Sequence, residues 1–313
     1  MRIAIFGAGG VGGYFGARLA RAGEDVVFVA RGAHLDAIRR AGLKVVTDSG
    51  EILVHPARAT DDPAEVGIVD AVLVCVKAWQ VPESARALGP MVGPDTVVCP
   101  LQNGVEAAGE LVAVLGERPV LGGLSGTLSF IAAPGEIRSI GTTNFVKLGE
   151  RDGRTSERAV RLRDALTRAG VDAEIPPDIE AATWQKFLFV TALGGIGAVT
   201  RAPLGVIRAM PETRRLLEGC MRETHAVAGA RGIALAHDAV ERGMALLETL
   251  AAEGTTSLHR DIVGGKPSEL EAWSGAVVRL GRESGVPTPI HGFLYASLLP
   301  LERRARGELA FPA

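Results

Sequence analysis

The stretch RIAIFGAGGVGG, residues 2–13, decides the fold class of this chain. The apolar run Arg2–Phe6 predicts a buried strand, and the helical spacing over Gly10–Ala22 predicts a helix directly after it. Between them lies a G-x-G-x-x-G turn, in which Gly7 permits a tight bend, Gly9 lets backbone approach a pyrophosphate and Gly12 allows close helix packing. The predicted phosphate-binding residues are Gly7, Ala8, Gly9, Gly10, Val11 and Gly12.

The residue at the end of the second predicted strand, Asp25–Ala30, indicates which dinucleotide binds. NAD-binding proteins usually place an acidic residue there, about 20 residues after the glycines, to accept hydrogen bonds from the ribose. Here Arg31 stands 19 residues after Gly12. Because a guanidinium favours a 2′-phosphate through charge-assisted hydrogen bonds, we predict NADP (NADPH) as the cofactor. The other interpretation of Arg31 is a solvated loop residue.

The first half of the chain alternates strands and helices, which predicts βαβ units and a parallel sheet. Ala71–Val76 and Thr96–Cys99 are continuous apolar runs, as expected of strands covered on both faces. The turn signal DSG at residues 48–50 predicts a hairpin. Residues 119–131 and 136–148 are predicted as later strands at an antiparallel edge of that sheet.

After Pro176 and Pro177 the apolar residues follow a helical period. Helices are predicted over residues 211–230, 239–253 and 269–283. The predicted fold class is therefore α/β, an N-terminal Rossmann-type parallel sheet with a C-terminal all-helical domain. The predicted domains are an NADP-binding Rossmann domain over residues 1–176 and a helical substrate and catalytic domain over residues 177–313.

Composition excludes several classes of function. The chain has 313 residues, of which 47% are hydrophobic and 22% charged, with a net charge of −2, so disorder and nucleic-acid binding are not expected. Its longest uncharged apolar stretch, residues 187–200, is 14 residues long, whereas a membrane span needs about 20. Three separated cysteines favour a reducing cytoplasm, and six scattered histidines predict no metal site. A small-molecule partner fits best.

Two more polar residues follow predicted strands. Lys77 comes after the strand Ala71–Val76, and Asn103 comes shortly after Thr96–Cys99. Since ligands of open α/β sheets bind beyond the carboxyl ends of the strands, both are candidate cofactor or substrate contacts. Each can equally be a turn or capping residue, and the Asn-Gly pair that begins at Asn103 suits a turn.

The chain resembles the ketopantoate reductase family (2-dehydropantoate 2-reductases) over nearly its whole length. Besides the glycine turn, the resemblance rests on VKAWQV at residues 76–81, QNGV at 102–105, WQK at 184–186, SLHRDI at 257–262 and SELE at 268–271. The lysine-tryptophan and Trp-x-Lys segments, in this order and at this separation, are specific to the family. The glycine turn is not.

The resemblance implies NADPH-dependent reduction of a 2-oxo acid to a D-2-hydroxy acid. The foremost expected substrate is 2-dehydropantoate (ketopantoate), which would give (R)-pantoate for pantothenate biosynthesis on the pathway to coenzyme A. It also implies a Rossmann domain followed by a helical domain. The apolar faces of the long C-terminal helices can serve as core or as the seam of a homodimer, so a homodimer is an open expectation.

The resemblance also assigns site residues by position. Lys186 matches the catalytic lysine, and Glu269 matches the acidic residue that helps to hold the substrate. Asn103 matches an asparagine near nicotinamide and substrate, and Ser257 matches a substrate-binding serine. Arg31 and Lys77 match residues on the adenosine phosphate side of the cofactor.

Chemistry supports these residue types independently. Hydride delivered to a ketone carbon leaves alkoxide charge on its oxygen, which the ammonium of Lys186 can stabilise and protonate. Desolvation would lower the pKa of this lysine toward neutrality, and the apolar run 187–190 predicts such a buried helix. The alternative is an ordinary helix lysine with its charge in solvent. For Glu269 the alternative is a first-turn carboxylate after Ser268 as N-cap.

The sequence departs from the family at three pocket positions. Val190 and Gly194 stand where many members have asparagines, one and two helical turns after the lysine, and Gly254 replaces another asparagine. A pocket without these amides should bind the hydroxyl end of ketopantoate less specifically. Val190 and Gly194 favour one alternative, a D-2-hydroxy acid dehydrogenase acting on a branched or aromatic 2-oxo acid. A separate alternative is a non-enzymatic NADPH sensor, which needs the glycine turn and Arg31 but has no need of Lys186 with Glu269.

Overall fold

The computed structural model describes residues 1–311. Strands in this part of the chain are β1 Arg2–Phe6, β2 Asp25–Val29, β3 Leu43–Thr47, β4 Gly50–Val54, β5 Arg58–Thr60, β6 Ala71–Val74, β7 Val97–Pro100, β8 Gly122–Ala133, β9 Glu136–Gly149 and β10 Asp172–Glu174.

The helices lie between the strands of the first half and make up nearly all of the second. They are α1 Gly10–Arg21, α2 Gly32–Ala41, α3 Pro63–Val66, α4 Val81–Ala87, α5 Ala107–Leu115, α6 Glu157–Arg168, α7 Ile179–Thr200, α8 Leu204–Ala209, α9 Pro211–Ala230, α10 Ala239–Thr249, α11 Ser257–Val263, α12 Ala276–Ser284 and α13 Pro289–Ala305. Short 3-10 turns occupy Ala78–Gln80 and Gly89–Met91, and a π-helical turn occupies Glu271–Gly275.

The first sheet has the strand order β5-β2-β1-β6-β7, and every pairing in it is parallel. The surroundings of its central strand, β1, explain why the sequence of that strand is an unbroken apolar run. Ile3 and Ile5 of β1 pack into one buried cluster, while Ala4 and Phe6 pack into another on the opposite face. Successive side chains of a strand point to opposite faces, so both faces of this strand are covered.

The second sheet corrects the predicted edge. The strands β8 and β9 do pair antiparallel, but β9 continues into a separate sheet of order β10-β9-β3-β4. The hairpin predicted around residues 48–50 forms, as β3 and β4, and β3 joins β9 in parallel. The pairing of β3 with β9 joins segments nearly a hundred residues apart, so no local sequence pattern could predict it.

The chain divides into two compact units. The first contains Met1–Gln102 and Glu106–Ile179, and the second contains Asn103–Val105 together with the chain from Glu180 onward. The sheets belong to the first unit, whereas the second is built on helices, so the predicted fold class is confirmed. No helix among residues 1–311 combines the length and the apolar character that a membrane crossing requires.

The helix α7 forms the centre of the second unit. Its residues are apolar nearly all round, with Phe187, Leu188, Ala192 and Ile196 essentially inaccessible to solvent. A helix of this composition must be surrounded by other elements, and α7 contributes to both buried clusters of this unit.

Candidate active site

The glycine turn follows β1 and begins with a left-handed residue. Gly7 has φ +100°, and the N–H groups of Gly7 and Ala8 both donate to the carbonyl oxygen of Val29, at 3.0 and 3.2 Å. A Cβ at Gly7 would lie 2.9 Å from the backbone of Val76, and one at Gly12 would overlap the carbonyl oxygen of Gly7. Both glycines are thus required by the fold itself.

Gly9 differs from these two. No heavy atom lies within 4 Å of the place where its Cβ would project, and it caps α1 without a side chain. An open space beside the first turn of a twelve-residue helix suits an anion, because the N–H groups there lack helical partners and the helix dipole is positive. The turn therefore fits the pyrophosphate of a dinucleotide.

Neighbouring strands bring further candidates to the same edge of the sheet. The last residue of β1, Phe6, pairs with Val29 of β2 and with Val74 of β6. The segments that follow these aligned ends are the glycine turn, the loop at Arg31 and the loop at Lys77. All three belong to the first unit, and they meet beyond the carboxyl ends of its parallel strands.

The two basic residues at this edge have different surroundings. Arg31 is exposed and directly precedes α2. Lys77 is half-buried, and its ammonium lies 5.7 Å from the centroid of the Trp79 ring. An exposed guanidinium at the end of β2, with no carboxylate at that position, suits a 2′-phosphate.

The second unit holds a cluster around Lys186 on α7. The ammonium of Lys186 donates a hydrogen bond to Oδ1 of Asn103, with an N–O distance of 2.6 Å. Asn103 reaches it because the next residue, Gly104, adopts φ +125° and passes close to the segment around Ala272. A Cβ at Gly104 would lie 3.4 Å from the carbonyl oxygen of Ala272.

The electrostatics of this cluster favour proton donation. Burial lowers the pKa of Lys186 to about 8, and the negative charge of Glu269 partly opposes that shift. Glu269 is itself buried, with 6% of its surface exposed. A lysine with this pKa is still mostly protonated at neutral pH but releases its proton far more readily than an exposed lysine.

A second carboxylate fixes the segment that carries Glu269. Glu302 on α13 accepts hydrogen bonds from the backbone N–H of Ser268, at 3.0 and 3.1 Å, and from its hydroxyl, at 2.5 Å. Arg306 donates to Glu302 at 2.7 Å and to the carbonyl oxygen of Ser268 at 3.2 Å. Glu302 and Ser268 are both buried. We did not identify Glu302 from the sequence, because an isolated glutamate on a C-terminal helix resembles a surface residue.

The helix predicted to run regularly from Glu269 is different in the structure. Its first turn is π-helical over Glu271–Gly275, with the Gly275 N–H donating to the carbonyl oxygen of Leu270. The widened turn accompanies the packing of Trp273, which is almost completely buried. The N-cap of this turn is Leu270, which makes no side-chain cap, so Ser268 is not the N-cap; its hydroxyl accepts a hydrogen bond from the N–H of Leu270 at 3.3 Å, before the helix begins.

Trp273 explains one of the departures from the family. A Cβ at Gly194 would lie 2.5 and 2.7 Å from Cζ3 and Cε3 of the Trp273 ring, so the indole covers the place where a side chain would project. Val190, one turn closer to Lys186, packs against the same buried cluster as Trp273. The helix face beyond Lys186 is therefore apolar and closed at Gly194.

Ser257 and Gly254 take no part in the hydrogen bonds that link the residues around Lys186. Ser257 is the first residue of α11, whose N-cap Thr256 accepts from the N–H of His259. Within residues 1–311 no hydrogen bond joins Ser257 to Lys186, Asn103 or Glu269. Gly254 lies in a tight turn, and a Cβ there would be 2.9 Å from the carbonyl oxygen of Ala251.

Comparison with known proteins identifies the family. The model described as "Ketopantoate reductase PanE/ApbA" matches residues 3–153, and the model described as "Ketopantoate reductase PanE/ApbA C terminal" matches residues 178–302. The chain belongs to the ketopantoate reductase family. It is accordingly an oxidoreductase that acts on CH–OH groups, which argues against the sensor alternative.

Members of the ketopantoate reductase family match along almost their full length. A 2-dehydropantoate 2-reductase of Mesorhizobium japonicum is 33% identical, with 92% of this chain and 94% of the relative covered. The crystal structure of a family member from Ralstonia eutropha JMP134 is 31% identical with a TM-score of 0.89, covering 98% of this chain and all of the other.

A more distant solved structure shares the fold of the family. It is the ternary structure of D-mandelate dehydrogenase with NADH and anilino(oxo)acetate. It is 21% identical with a TM-score of 0.87, covering 98% of this chain and 100% of the other. At this identity the likeness concerns the fold alone. Among residues 1–311 no group of His, Cys, Asp and Glu side chains is arranged to hold a metal ion.

Proposed function

We propose that this protein reduces a 2-oxo acid to a D-2-hydroxy acid with NADPH, and that its principal substrate is ketopantoate, converted to (R)-pantoate for pantothenate biosynthesis. The observation that carries the proposal is the buried cluster in which Lys186 donates to Asn103 beside the charge of Glu269. An ammonium of lowered pKa, held by an amide oxygen, is suited to protonating a developing alkoxide.

The cofactor is proposed from the first unit. Gly9 leaves an open space at the N-terminus of α1, which suits a pyrophosphate. Arg31 and Lys77 follow strands adjacent to β1 and can neutralise the 2′-phosphate that distinguishes NADPH from NADH. When bound, NADPH supplies the hydride.

The residues of the second unit have distinct roles in this proposal. Lys186 donates its proton to the carbonyl oxygen of the substrate as negative charge develops there. Asn103 holds the ammonium in place through its Oδ1. Glu269 accepts a hydrogen bond from the substrate and stabilises the charged form of Lys186, because it is the negative group that opposes the lowering of that pKa. Ser257 is retained as a substrate contact.

The test is an NADPH oxidation assay with ketopantoate and with a panel of other 2-oxo acids, followed by determination of the configuration of the product. We expect turnover with ketopantoate, a D-configured product and a preference for NADPH over NADH. The proposal is wrong if the purified protein oxidises NADPH with none of these acids, or if the product has the L configuration.

A second candidate substrate class is supported by one observation. Val190 and the Trp273 ring over Gly194 make the face beyond Lys186 apolar. This surface favours a branched or aromatic 2-oxo acid, as expected of a D-2-hydroxy acid dehydrogenase. In the same panel, higher kcat/KM for phenylglyoxylate or 2-oxoisocaproate than for ketopantoate would establish this alternative and overturn ketopantoate as principal substrate.

The cellular location and the oligomeric state of the protein stay predictions. A cytoplasmic location is supported by the cysteines, since Cys75, Cys99 and Cys220 are all unpaired. A homodimer is to be tested by light scattering of the purified chain.

A further inference from the structure

His34, on α2, makes two hydrogen bonds that connect distant parts of the first unit. Its Nε2 lies 2.8 Å from the carbonyl oxygen of Ala8, the second residue of the glycine turn. Its Nδ1 lies 3.0 Å from the backbone nitrogen of Gly135, in the turn between β8 and β9. The ring thus joins the candidate phosphate-binding turn to the end of a long hairpin.

The two partners of His34 indicate which ring nitrogen donates and which accepts. A carbonyl oxygen can only accept, so the Nε2 that faces Ala8 carries the hydrogen. A backbone N–H can only donate, so the Nδ1 that faces Gly135 must offer its lone pair. The tautomer with its hydrogen on Nε2 satisfies both bonds.

The hairpin end that holds His34 is itself fixed. Gly135 has φ +78°, and a Cβ there would lie 3.0 Å from the Cβ of Ala37. The carbonyl oxygen of Gly135 accepts from the N–H of Lys44 at 2.9 Å. Since Gly135 packs on α2 and pairs with β3, the hydrogen bond from its N–H holds the His34 ring in a fixed position.

The bond to Ala8 orients the next N–H of the glycine turn. In a trans peptide the C=O and the N–H point in opposite directions, and the only cis peptide among residues 1–311 is His55–Pro56. With the Ala8 oxygen turned toward His34, the Gly9 N–H points away from the ring. That N–H has no acceptor among residues 1–311, and the space next to Gly9 is open.

We propose that His34 is a positioning residue for the cofactor: by holding the Ala8 carbonyl, it aims the Gly9 N–H at the pyrophosphate of the bound dinucleotide. The proposal rests on the proposed function only in assigning a dinucleotide to the glycine turn. In this proposal His34 acts through the backbone of Ala8. Its effect should therefore appear in the affinity for the dinucleotide and not in the chemical step.

Two substitutions separate the two bonds of the ring. His34→Gln places an amide nitrogen close to the position of Nε2 and keeps a donor for Ala8. His34→Asn places an amide oxygen close to the position of Nδ1, which keeps an acceptor for Gly135 but removes the donor to Ala8. We expect His34→Asn to weaken NADPH binding roughly five- to tenfold, the effect of one lost hydrogen bond. His34→Gln should stay within about twofold of wild type.

The fragment 2′-AMP serves as the matched ligand, because it carries the adenosine phosphate but no pyrophosphate. The affinity for 2′-AMP and the kcat at saturating NADPH should be unchanged in both variants. Equal NADPH affinity of His34→Asn and wild type would overturn the proposal. So would equal losses in the two variants, or a parallel loss of 2′-AMP affinity, since each would indicate a general structural role.

The comparison can be repeated with NADH, which has the same pyrophosphate. If wild type binds NADH but not NADPH, the proposed cofactor is wrong, while the His34 comparison still gives its answer with NADH. If wild type binds neither, the assignment of a dinucleotide to the glycine turn fails and the inference about His34 fails with it. Thermal unfolding of all three proteins controls for misfolding.

Discussion

The glycine turn and the lysine cluster contrast in how the chain builds them. The turn consists of consecutive residues between β1 and α1, and its shape follows from glycines that lie within six positions of one another. The lysine cluster instead joins residues that are distant in the sequence. Lys186 bonds Asn103, which lies 83 residues earlier, and is influenced by the charge of Glu269, which lies 83 residues later. The turn presents neutral N–H groups, whereas the cluster sets a buried ammonium beside a buried carboxylate.

This difference indicates where each site is vulnerable. The turn should lose function through changes at its own positions, because local backbone geometry defines it. The cluster should also lose function through distant residues, such as Glu302, that hold its segments in place. The following experiments test that contrast.

The largest effect is expected for Lys186→Ala. If Lys186 is the proton donor, the change should lower turnover roughly 10²–10⁴-fold, the usual share of a positioned acid. NADPH affinity, measured by fluorescence titration, should stay near wild type, because the proposed contacts to the phosphates of the cofactor, the glycine turn, Arg31 and Lys77, lie in the first unit. The control is Lys147→Ala, which removes a lysine paired with Glu174 on the second sheet. Single-turnover hydride transfer within a few-fold of wild type would show that Lys186 is not the acid.

The pH dependence of turnover tests the same residue. The acid acts only when protonated, and burial lowers the pKa of Lys186 to about 8. Wild-type kcat should therefore be full below that pKa and fall as the pH rises through it, and Lys186→Ala should lack this alkaline decline. An unchanged pH profile in the variant would assign the decline to another group.

Glu302→Ala should cause the next largest effect. It removes the acceptor of the Ser268 N–H and hydroxyl and the carboxylate partner of the Arg306 guanidinium, which should lower the free energy of unfolding by about 3 kcal/mol. The KM for the 2-oxo acid should rise, because the segment that carries Glu269 loosens. Urea unfolding and steady-state kinetics measure both effects. Glu302→Gln, which keeps one acceptor, should lie between Glu302→Ala and wild type, and a kinetic defect without lost stability would contradict this account.

Arg31→Ala should weaken NADPH binding roughly 10- to 150-fold, the range for a lost charge-assisted bond. NADH binding should barely change, since NADH lacks the 2′-phosphate. The matched control is Arg40→Ala, at the exposed end of the same helix α2. Competitive titration with NADPH and NADH measures the two affinities. An equal loss for NADPH and NADH would exclude Arg31 as the 2′-phosphate ligand.

Gly9→Ala should give the smallest effect of the series, a loss of dinucleotide affinity of about tenfold. Because a Cβ at Gly9 meets nothing in the protein, the free energy of unfolding should change by less than about 1 kcal/mol. Gly12→Ala is the counterpart, since its Cβ would overlap the Gly7 carbonyl oxygen and should destabilise the fold by at least 1 kcal/mol. Equal stability losses in the two variants would show that Gly9 has a packing role.

Much of the first sheet and the glycine turn could be predicted from the sequence, because their signals are local. The run Arg2–Phe6 and its glycines appear where the pattern places them. The strands of the second sheet and its hairpin could also be predicted, but the pairing of β3 with β9 that unites them could not, since it joins segments distant in the sequence. The π-helical turn at Glu271–Gly275 contains Trp273, whose ring lies over Gly194, and the apolar period of the sequence contains no signal for either feature.

The candidate catalytic residues have a different origin. The place of Asn103 after a predicted strand makes it a candidate, whereas Lys186 and Glu269 are singled out by the resemblance to ketopantoate reductases, and chemistry alone supports them only as residue types. The structure brings Asn103 and Lys186 into contact, with Glu269 near enough to influence the lysine. The sequence does not single out His34 or Glu302. His34 bonds backbone atoms of two distant segments, and Glu302 bonds the backbone and hydroxyl of Ser268, 34 residues away, so neither contact produces a local side-chain pattern.

The membership of Asn103–Val105 in the second unit has a consequence for biosynthesis and inheritance. On the ribosome, Asn103 is translated 83 residues before Lys186 and long before Glu269, so this loop has neither partner until those later segments emerge. A gene fragment that begins at Glu180 encodes the ammonium and the carboxylate but lacks the amide that holds the ammonium. Recombination between relatives at the middle of the gene would therefore pair the Asn103 amide of one parent with the lysine of the other. The amide, the ammonium and the carboxylate are best inherited together from one parent.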